Sequence, residues 1–406
     1  MHGTDTTLSA APLAAPQRRH RLALRIAGLI RAGELELTLP DGTRHRVRGD
    51  RPGPAAEVTL VSARAIRRFA LGGSLGWAEA YLDGEWTTPD LRAVMALAAA
   101  NEAEWTRVLR GSSLIRWLSR LAHAFRPNTR RGARRNIAAH YDLGNDFYAA
   151  WLDRTMTYSS AEFLRAEETL EEAQERKLRN LLDALALAPG ARLLEIGCGW
   201  GHLAEVAARE HGARVVALTL SQAQAEAARA RIAAAGLAER VEIRIQDWRD
   251  VRESFDAIAS VEMFEAVGEA YWPAYFRALR DRLRAGGRAG LQIITIADRF
   301  FADYRRSADF IQRYVFPGGM LPSPSRLRDE VARAGLAWLS DSWFGASYAE
   351  TLRRWNDSFQ AAWPRIAATG RYDARFKRLW EYYLAYCETG FRAGWTDVGR
   401  IVLARA

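Results

Sequence analysis

The chain contains few cysteines, few histidines and no long apolar run. Its 406 residues include two cysteines, Cys198 and Cys387, and seven scattered histidines. Two cysteines cannot form a disulfide framework, and histidines without ligand spacing do not predict a metal site. No segment approaches the roughly 18 continuous apolar residues of a membrane-spanning helix, and the N-terminus lacks the features of a signal peptide. The sequence therefore predicts a cytoplasmic protein without a metal ion.

Lysine is also scarce, so arginine supplies nearly all of the positive charge. The net charge is +10 and the sequence pI is about 9.9. A basic balance of this kind suits a polyanionic partner, either nucleic acid or an anionic bilayer. An arginine-rich composition can also reflect a GC-rich genome and a solvated surface. Charge alone therefore leaves the partner open.

The length and the residue patterns predict more than one domain. Strand-like alternation and helical spacing occur together in an N-terminal part, which predicts a small α+β domain. A basic stretch separates this part from a longer region in which strands alternate with helices. The predicted segments are a disordered leader (1–20), the N-terminal α+β domain (21–105), a basic amphipathic linker (106–136) and a catalytic domain (137–406).

The N-terminal domain is predicted to contain a β-hairpin. Residues Glu34–Leu39 alternate polar and apolar side chains, Pro40–Gly42 supplies a turn, and His45–Arg48 alternates again. Val58–Val61 is a candidate for a further strand. Helical spacing follows in two segments farther along the domain.

The basic linker has two interpretations. Its arginines, from Arg110 to Arg135, interleave with apolar residues and Trp117 at helical spacing. A basic amphipathic helix with a tryptophan can lie on an anionic membrane. A linker helix that packs its apolar stripe on a neighbouring domain would give the same pattern. The cluster Arg130–Arg135 continues beyond the helix and favours the membrane.

The catalytic domain is predicted to be a doubly wound α/β domain. Its buried strands are separated by helical segments, which implies a parallel sheet covered by helices on both faces. The predicted strands are Leu193–Ile196, Val215–Leu220, Val241–Ile245, Ala257–Val261 and Gly290–Ile296.

A glycine-rich loop follows the first of these strands. Gly197, Gly199 and Gly201 let the backbone pass close to a bound cofactor at the carboxyl end of the sheet. Such a loop alone could serve a dinucleotide. Three features favour S-adenosylmethionine instead. The loop lacks the third glycine of the dinucleotide fingerprint, and Glu195 lies inside the preceding strand. An acid and an aromatic residue, Asp247-Trp248, follow the third strand. We therefore expect a methyltransferase rather than a dehydrogenase.

The end of the second strand departs from the general methyltransferase pattern. An acid usually stands there and holds the ribose hydroxyls. Here the strand ends in Thr219-Leu220, followed by Ser221 and Gln224. Neutral polar groups must therefore hold the ribose.

Together these motifs make the chain resemble the cyclopropane-fatty-acyl-phospholipid synthase family, which includes the mycolic acid cyclopropane synthases. The resemblance covers Arg135 to the C-terminus, and the N-terminal domain is similar to that of the longer bacterial members. It implies a seven-stranded class I methyltransferase fold. The matching stretches are His140–Asp146, Met156–Ser159, Gly197–Gly201, Thr219–Gln224, Phe264–Glu265 with Gly268 and Tyr271, Phe316–Gly319 with Leu321–Pro322, Tyr348–Leu352 with Trp355, and Cys387 with Phe391.

The resemblance implies methylation of the cis double bond in an unsaturated phospholipid acyl chain at an anionic membrane surface. An alkene has no proton to lose, so the enzyme must hold the sulfonium methyl in line with the double bond in a dry pocket. Methyl transfer leaves a carbocation, and a base then removes a proton from the new methyl group to close a cyclopropane ring. In the family a bound bicarbonate is thought to be that base.

Carried over by position, Glu265 and Tyr348 match the glutamate and tyrosine that hold the bicarbonate. Two positions differ, because Ser160 replaces the family's cysteine and Gln292 its histidine. Gln292 can hydrogen-bond an anion but cannot be cationic. A weaker or missing base would let a neighbouring chain carbon lose the proton instead. A methylene or methyl-branched product is therefore the alternative to the ring.

Other residues have roles implied by the same resemblance. Tyr158 and Ser159 are expected to contact the cofactor. Cys387 matches a cysteine historically assigned to catalysis, although a lone cysteine in an aromatic helix is usually a small core residue. A homodimer is a candidate assembly.

Two competing functions belong to other classes. A nucleic-acid methyltransferase would be consistent with the positive net charge. It would require a base-clamping motif such as Asn-Pro-Pro-Tyr at the position that Ser260–Phe264 occupies. We therefore expect no nucleic-acid partner. A lipid-binding protein without catalysis would not need the cofactor loop, Gln224 or Trp248.

Overall fold

The computed structural model describes residues 6–7, 21–109, 143–306 and 308–405. Most of the predicted leader, His140 and the predicted basic linker beyond residue 109 lie outside these residues. The described chain forms two compact units. The first contains residues 6–7, 21–109, 308–310 and 367–389, and the second contains residues 143–306, 311–366 and 390–405.

The first unit is built on a five-stranded sheet in the order β1-β3-β2-β4-β5. The predicted hairpin is confirmed, because β2 and β3 pair antiparallel with Leu35 opposite Val47. The predicted further strand is also confirmed, and it runs parallel to β2. The strands are β1 (Thr6–Thr7), β2 (Ala32–Thr38), β3 (Arg44–Arg48), β4 (Arg51–Leu60) and β5 (Trp86–Thr87).

Helices cover this sheet, and polar groups fix where they begin and end. The Asp90 carboxylate caps a helix by accepting the amides of Arg92 and Ala93. The fully buried Asn101 side chain accepts the amides of Arg31 (2.7 Å) and Ala32 (2.9 Å) at the start of β2. The helices are α1 (Arg21–Ala27), α2 (Arg64–Leu82), α3 (Leu91–Ala100) and α4 (Glu102–Leu109).

The first unit also includes most of a helix from near the C-terminus, Ala374–Arg392. The Tyr81 hydroxyl donates to Glu381 at 3.1 Å, and the ring of Tyr81 lies 5.8 Å from that of Tyr382. Arg375 donates to Asp83 at 3.1 Å. These contacts join residues about 300 positions apart, and the predicted division of the chain at residue 137 stays a prediction.

The second unit contains a seven-stranded sheet in the order β11-β12-β10-β9-β6-β7-β8. Its strands are parallel except for β12, which pairs antiparallel with both β10 and β11. The five predicted strands are all present. The strands are β6 (Arg192–Ile196), β7 (Arg214–Thr219), β8 (Val241–Ile245), β9 (Phe255–Val261), β10 (Leu283–Ile296), β11 (Leu336–Trp343) and β12 (Thr396–Arg405).

Helices pack on the second sheet and bury its apolar side chains. Thr169 and Glu172 form a reciprocal capping box at the start of one helix, and Ser221 caps another. The helices of this unit are α5 (Asn145–Ala149), α6 (Leu170–Ala184), α7 (His202–Glu210), α8 (Gln222–Ala234), α9 (Trp272–Arg282), α10 (Asp298–Tyr304), α11 (Phe310–Tyr314), α12 (Pro324–Arg333) and α13 (Gly345–Ala368). The helix Ala374–Arg392, most of which belongs to the first unit, is α14.

The strand order and the single antiparallel strand confirm the predicted class I methyltransferase fold. Because β6 to β10 are parallel, their carboxyl ends meet at one edge of the sheet, where ligands bind in doubly wound folds. None of the helices in the described residues is both long enough and apolar enough to cross a membrane.

Candidate active site

The glycine-rich loop joins β6 to α7. The amides of Gly197 and Cys198 both donate to the Leu218 carbonyl, at 3.0 and 2.8 Å, and so fix the loop against the end of β7. Gly199 and Gly201 adopt left-handed backbone conformations with φ of +50° and +86°. Glycine is the residue that takes this conformation at least cost.

The three glycines of the loop have different surroundings. A Cβ atom on Gly197 would lie 2.8 Å from Met263, and one on Gly201 would lie 3.0 Å from Ala228. A Cβ atom on Gly199 would meet nothing within 4 Å. The first and third glycines therefore allow close packing, whereas Gly199 faces open space, and its contact with the cofactor stays a prediction.

Glu195 lies in β6 just before this loop and is 4% exposed. The backbone amide of Ala204 in α7 donates to its carboxyl group. Its Oε2 atom is buried without a hydrogen-bond partner among the described residues. Burial raises the pKa of Glu195 to about 8, so this side chain is largely protonated at neutral pH.

Hydroxyl and amide groups replace an acid at the end of β7. The Thr219 hydroxyl donates to Gln224 Oε1 at 2.8 Å and accepts the Ser221 amide at 3.1 Å. Leu220 separates Thr219 from the Ser221 helix cap. This places Thr219, Leu220 and Gln224 beside the glycine loop, and their binding of the ribose stays a prediction.

Asp247 follows β8 and is engaged by a residue that the sequence did not single out. Its carboxylate accepts from Arg249 Nε at 2.8 Å and from Arg249 Nη2 at 2.6 Å. The Arg249 guanidinium lies 5.5 Å from the ring centres of Trp248 and Tyr271. Each carboxylate oxygen has two lone pairs, so an adenine amine can share Asp247 with Arg249.

The segment that contains Tyr158, Ser159 and Ser160 is held by α6. Gln174 Nε2 donates to the Ser159 carbonyl at 2.8 Å, and Lys177 Nζ donates to Ser159 Oγ at 2.6 Å. Lys177 is 1% exposed. Burial lowers the pKa of Lys177 to about 8, opposed by the nearby carboxylates of Glu262, Asp153 and Glu162.

A carboxylate cluster lies beside this segment, with the half-buried Glu262 at its centre. Glu262 Oε1 accepts the Ser160 amide at 2.8 Å and Gln292 Nε2 at 2.7 Å. Its Oε2 accepts the Tyr348 hydroxyl at 2.6 Å. Burial raises the pKa of Glu262, and the hydrogen bonds from Tyr348, Ser160 and Gln292, together with the charge of Lys177, act against that rise.

Glu262 also has an unusual backbone conformation. Its φ is +49°, directly after the end of β9. This conformation costs a non-glycine residue roughly 1–2 kcal/mol. The Glu262 amide donates to the Gln292 carbonyl at 2.8 Å, which anchors the strained residue to β10.

The structure brings together three of the predicted residues, Ser160, Gln292 and Tyr348, but the glutamate that they contact is Glu262 and not Glu265. Glu265 Oε1 instead accepts the Ile294 amide at 2.6 Å. Its Oε2 is buried and has no partner in the described part of the chain. Burial and the neighbouring Glu262 raise the pKa of Glu265 to about 8. The resemblance led to Glu265 because that position matches the family, and it gave no role to Glu262.

Cys387 belongs to the first unit. Burial and the nearby Asp309 raise the pKa of its thiol, so the thiol stays protonated at neutral pH. A thiolate nucleophile at this position is therefore not favoured, and a catalytic role for Cys387 stays a prediction.

Aromatic side chains surround Tyr158. Its ring lies 5.2 Å from that of Trp355 and 5.4 Å from that of Tyr148. Trp200 in the glycine loop donates to Asn145 at 2.9 Å, and Asn145 donates to the Ala223 carbonyl at 3.2 Å. The helix α5 is thereby tied to the cofactor loop and to the start of α8.

This fold and this loop define a class I S-adenosylmethionine-dependent methyltransferase. The model of the family described as mycolic acid cyclopropane synthetase matches residues 128–401. The chain therefore belongs to the mycolic acid cyclopropane synthetase family, and the resemblance inferred from its motifs is confirmed.

Individual relatives agree with this assignment. The chain is 41% identical to the tuberculostearic acid methyltransferase UfaA1 of Mycobacterium tuberculosis, over 91% of this chain and 88% of the relative. It is 34% identical to the cyclopropane-fatty-acyl-phospholipid synthase of Escherichia coli K12, over 91% and 96% of the two chains.

A solved structure shares the fold and has a cofactor product bound. The mycolic acid cyclopropane synthase CmaA1 in complex with SAH and CTAB is 32% identical, with a TM-score of 0.63, and the match covers 67% of this chain and 98% of that one. The predicted cofactor, S-adenosylmethionine, is confirmed. The protein is a methyltransferase that acts on lipid acyl chains.

Proposed function

We propose that the protein transfers the methyl group of S-adenosylmethionine to the cis double bond of an unsaturated phospholipid acyl chain. The observation that carries this proposal is the carboxylate cluster around Glu262, which adjoins the expected cofactor segment at Ser160. Alkene methylation requires a base only after the methyl group has moved, and a carboxylate held by three hydrogen bonds beside the cofactor segment suits that task.

The residues of this chain fit S-adenosylmethionine. The open space beside Gly199 lets the cofactor lie close to the backbone of the loop. Thr219, Leu220 and Gln224, at and just after the end of β7, are placed to contact the ribose. Asp247 and Trp248 are placed to meet adenine, and Tyr158 and Ser159 to meet the reactive end. When bound, the cofactor supplies an electrophilic methyl group on a sulfonium.

Aromatic rings beside the cluster support a reaction that passes through a cation. The ring of Trp355 lies 5.2 Å from that of Tyr158 and 6.2 Å from that of Tyr348, and the ring of Phe391 lies 4.5 Å from that of Tyr348. Aromatic faces attract positive charge and exclude water. The carbocation on the acyl chain is thereby stabilised next to the carboxylate.

The first candidate product is a cyclopropane acyl chain, in agreement with the description of the family. The second candidate is a methylene or methyl-branched chain. Gln292 favours the second, because a neutral amide stands where the resemblance implies a histidine. The similarity to a tuberculostearic acid methyltransferase favours it as well.

The proposed location is the inner face of an anionic membrane, reached from the cytoplasm. The net charge of +10 supports this, as does the relative named a phospholipid synthase. Nucleic acid is not a proposed partner, and a homodimer is the proposed assembly to test.

Release of S-adenosylhomocysteine tests the substrate class. Purified protein is incubated with S-adenosylmethionine and anionic vesicles that contain either oleoyl or stearoyl phospholipid. We expect release with the oleoyl lipid and only background with the saturated lipid, because only the former has a double bond. Equal release from both lipids, or release with nucleic acid in place of vesicles, would contradict the proposal.

A further inference from the structure

We propose that Glu262 is the catalytic base of this enzyme and that its carboxylate takes the place of the bicarbonate implied by the family resemblance. This inference rests on the proposed function, since it concerns the proton that leaves after methyl transfer. It adds a residue to the site that neither the motifs nor the relatives single out.

The donors expected to hold bicarbonate are already bound to Glu262. The Ser160 amide, Gln292 Nε2 and the Tyr348 hydroxyl donate to its two carboxylate oxygens at 2.6–2.8 Å. A bicarbonate ion at this position would lose these three donors. Its negative charge would also stand next to the carboxyl group of Glu262, which none of these donors would then hold. The residues present therefore do not fit bicarbonate.

The backbone of Glu262 agrees with a position built for a side chain carboxylate. A glutamate at φ +49° persists only where its surroundings determine it. Here the Gln292 carbonyl holds the amide of Glu262, and the side chain of the same residue, Gln292, holds its carboxylate. The backbone amide and the side-chain carboxylate of Glu262 are thus both held by one residue of β10.

Hydrogen bonds and a nearby positive charge act against the rise that burial causes in the pKa of Glu262. Lys177 is buried, is bonded to Ser159, and lowers the pKa of Glu262. Glu265, a neighbouring acid whose pKa Glu262 helps to raise, has a pKa of about 8 and is largely neutral at pH 7. Glu262 accepts three hydrogen bonds that lower its pKa and Glu265 has fewer such partners, and two acids in different environments are typical of acid–base sites.

The proposed step balances as follows. The sulfur–carbon bond breaks as the methyl carbon bonds to one alkene carbon, which leaves a cation on the other. A Glu262 oxygen accepts a proton from the new methyl group, and the C–H electron pair forms the third bond of the ring. If the proton comes from the chain instead, a methyl-branched alkene results. Glu262 then returns the proton to solvent.

Two substitutions at one position test this assignment. Glu262→Gln keeps the shape but cannot take a proton, and we expect kcat to fall about 100-fold or more. Glu262→Gly suits the positive φ and frees the three donors, so its activity should be low in CO₂-free buffer and restored by added bicarbonate. The wild-type enzyme should be equally active with and without bicarbonate. Calorimetry should give a Kd for S-adenosylmethionine within about threefold of the wild-type value for both variants, a difference of less than about 1 kcal/mol in binding free energy.

Glu269→Gln serves as the matched control. This carboxylate lies seven residues further along, pairs with Arg305 at 2.8 Å and has no contact with the cluster among those described. We expect it to keep wild-type activity and independence from bicarbonate. A wild-type enzyme that requires bicarbonate, or a Glu262→Gln variant with full activity, would overturn the assignment.

A readout without turnover separates this inference from the proposed function. The ¹³C resonance of labelled bicarbonate should broaden in the presence of Glu262→Gly but not of wild-type protein. Broadening by the wild type would sink the inference even if the lipid is methylated. A wild type inactive on every unsaturated lipid would sink the proposed function while this binding contrast still decides whether Glu262 occupies the anion position.

Discussion

At the residue scale, the two glutamates after β9 differ in the hydrogen bonds that they accept, and these bonds act on their pKa values to different extents. Glu262 accepts three hydrogen bonds, each of which favours its ionised form. Glu265 accepts one backbone amide and keeps a second oxygen buried, so its pKa is about 8. A pair of acids separated in this way can supply a base and a neutral donor within one site.

Tyr348→Phe removes one of the bonds that ionise Glu262 and tests its charge. The pKa of Glu262 should rise, so the acid limb of kcat/KM should move to higher pH and the rate at pH 7 should fall. Lys177 and Glu265, the other titratable groups of the cluster, remain in place. The pH profile of S-adenosylhomocysteine release measures this shift. Tyr372→Phe, on a ring that stacks with Phe376 in the first unit, should leave the profile unchanged. An unmoved acid limb in Tyr348→Phe would argue against Glu262 as the base.

Glu195 makes a separate prediction about stability. Its pKa in the folded protein is about 8, above the ordinary 4.5. The folded state therefore holds a proton that the unfolded state loses, and the free energy of unfolding should fall as pH rises from about 4.5 through 8, by up to about 1.4 kcal/mol per pH unit. Glu195→Gln should flatten this slope in urea denaturation at pH 5.5 and 8, although Glu265 keeps part of it. The same slope in the variant would show that Glu195 is ionised in the folded protein.

At the element scale, the loop between β6 and α7 is a rigid turn with one open face. Gly197 and Gly201 are closed in by Met263 and Ala228, and Gly199 is not. The loop therefore contributes close packing at two positions and access at the third.

Gly199→Ala tests whether the cofactor fills the open face. A methyl group there should weaken S-adenosylmethionine binding by about tenfold or more, measured by calorimetry, while the fold is kept. Gly190→Ala is the control, because Gly190 also has a positive φ of +81° and open space around it, but precedes β6 at the other end of the strand. Equal binding by the two variants would place the cofactor elsewhere.

Elements with strong local patterns could be predicted from the sequence, and those defined by distant contacts could not. The buried strands β6 to β10 are apolar runs bounded by turns, so their positions followed from the sequence. The grouping of Ala374–Arg392 with the first unit depends on its contacts with Tyr81 and Asp83. No local pattern encodes such a contact.

The same limit applied within the site. Ser160, Gln292 and Tyr348 could be predicted to lie together because they align with site positions of the family, and hydrogen bonds in the structure connect them through Glu262. Their catalytic role stays a prediction. Glu262 was missed because its importance comes from a strained backbone and from donors on three other segments. For Lys177 the sequence offered one weak indication of a special role, because it is one of only two lysines in an arginine-rich chain.

At the scale of the whole molecule, the excess of arginine predicts an interaction with anionic lipid. The segment Arg126–Arg135 carries the densest cluster, and it lies outside the described residues. Charge reversal there should abolish cosedimentation with anionic vesicles, because an acidic segment is repelled by the negative surface potential that attracts the arginines. S-adenosylmethionine binding, measured in the same samples, should be retained. Unchanged vesicle binding would mean that this segment does not meet the membrane.

The most direct measurement combines S-adenosylmethionine carrying a CD₃ methyl group with oleoyl phospholipid vesicles, followed by gas chromatography–mass spectrometry of the released fatty acids. We predict a new acyl chain that carries deuterium from the cofactor. Retention of two deuterium atoms in a saturated ring indicates that the base took its proton from the new methyl group, and three indicate loss from the chain. If the S-adenosylmethionine is consumed and the oleoyl chains contain no deuterium, methyl transfer to the acyl double bond is contradicted.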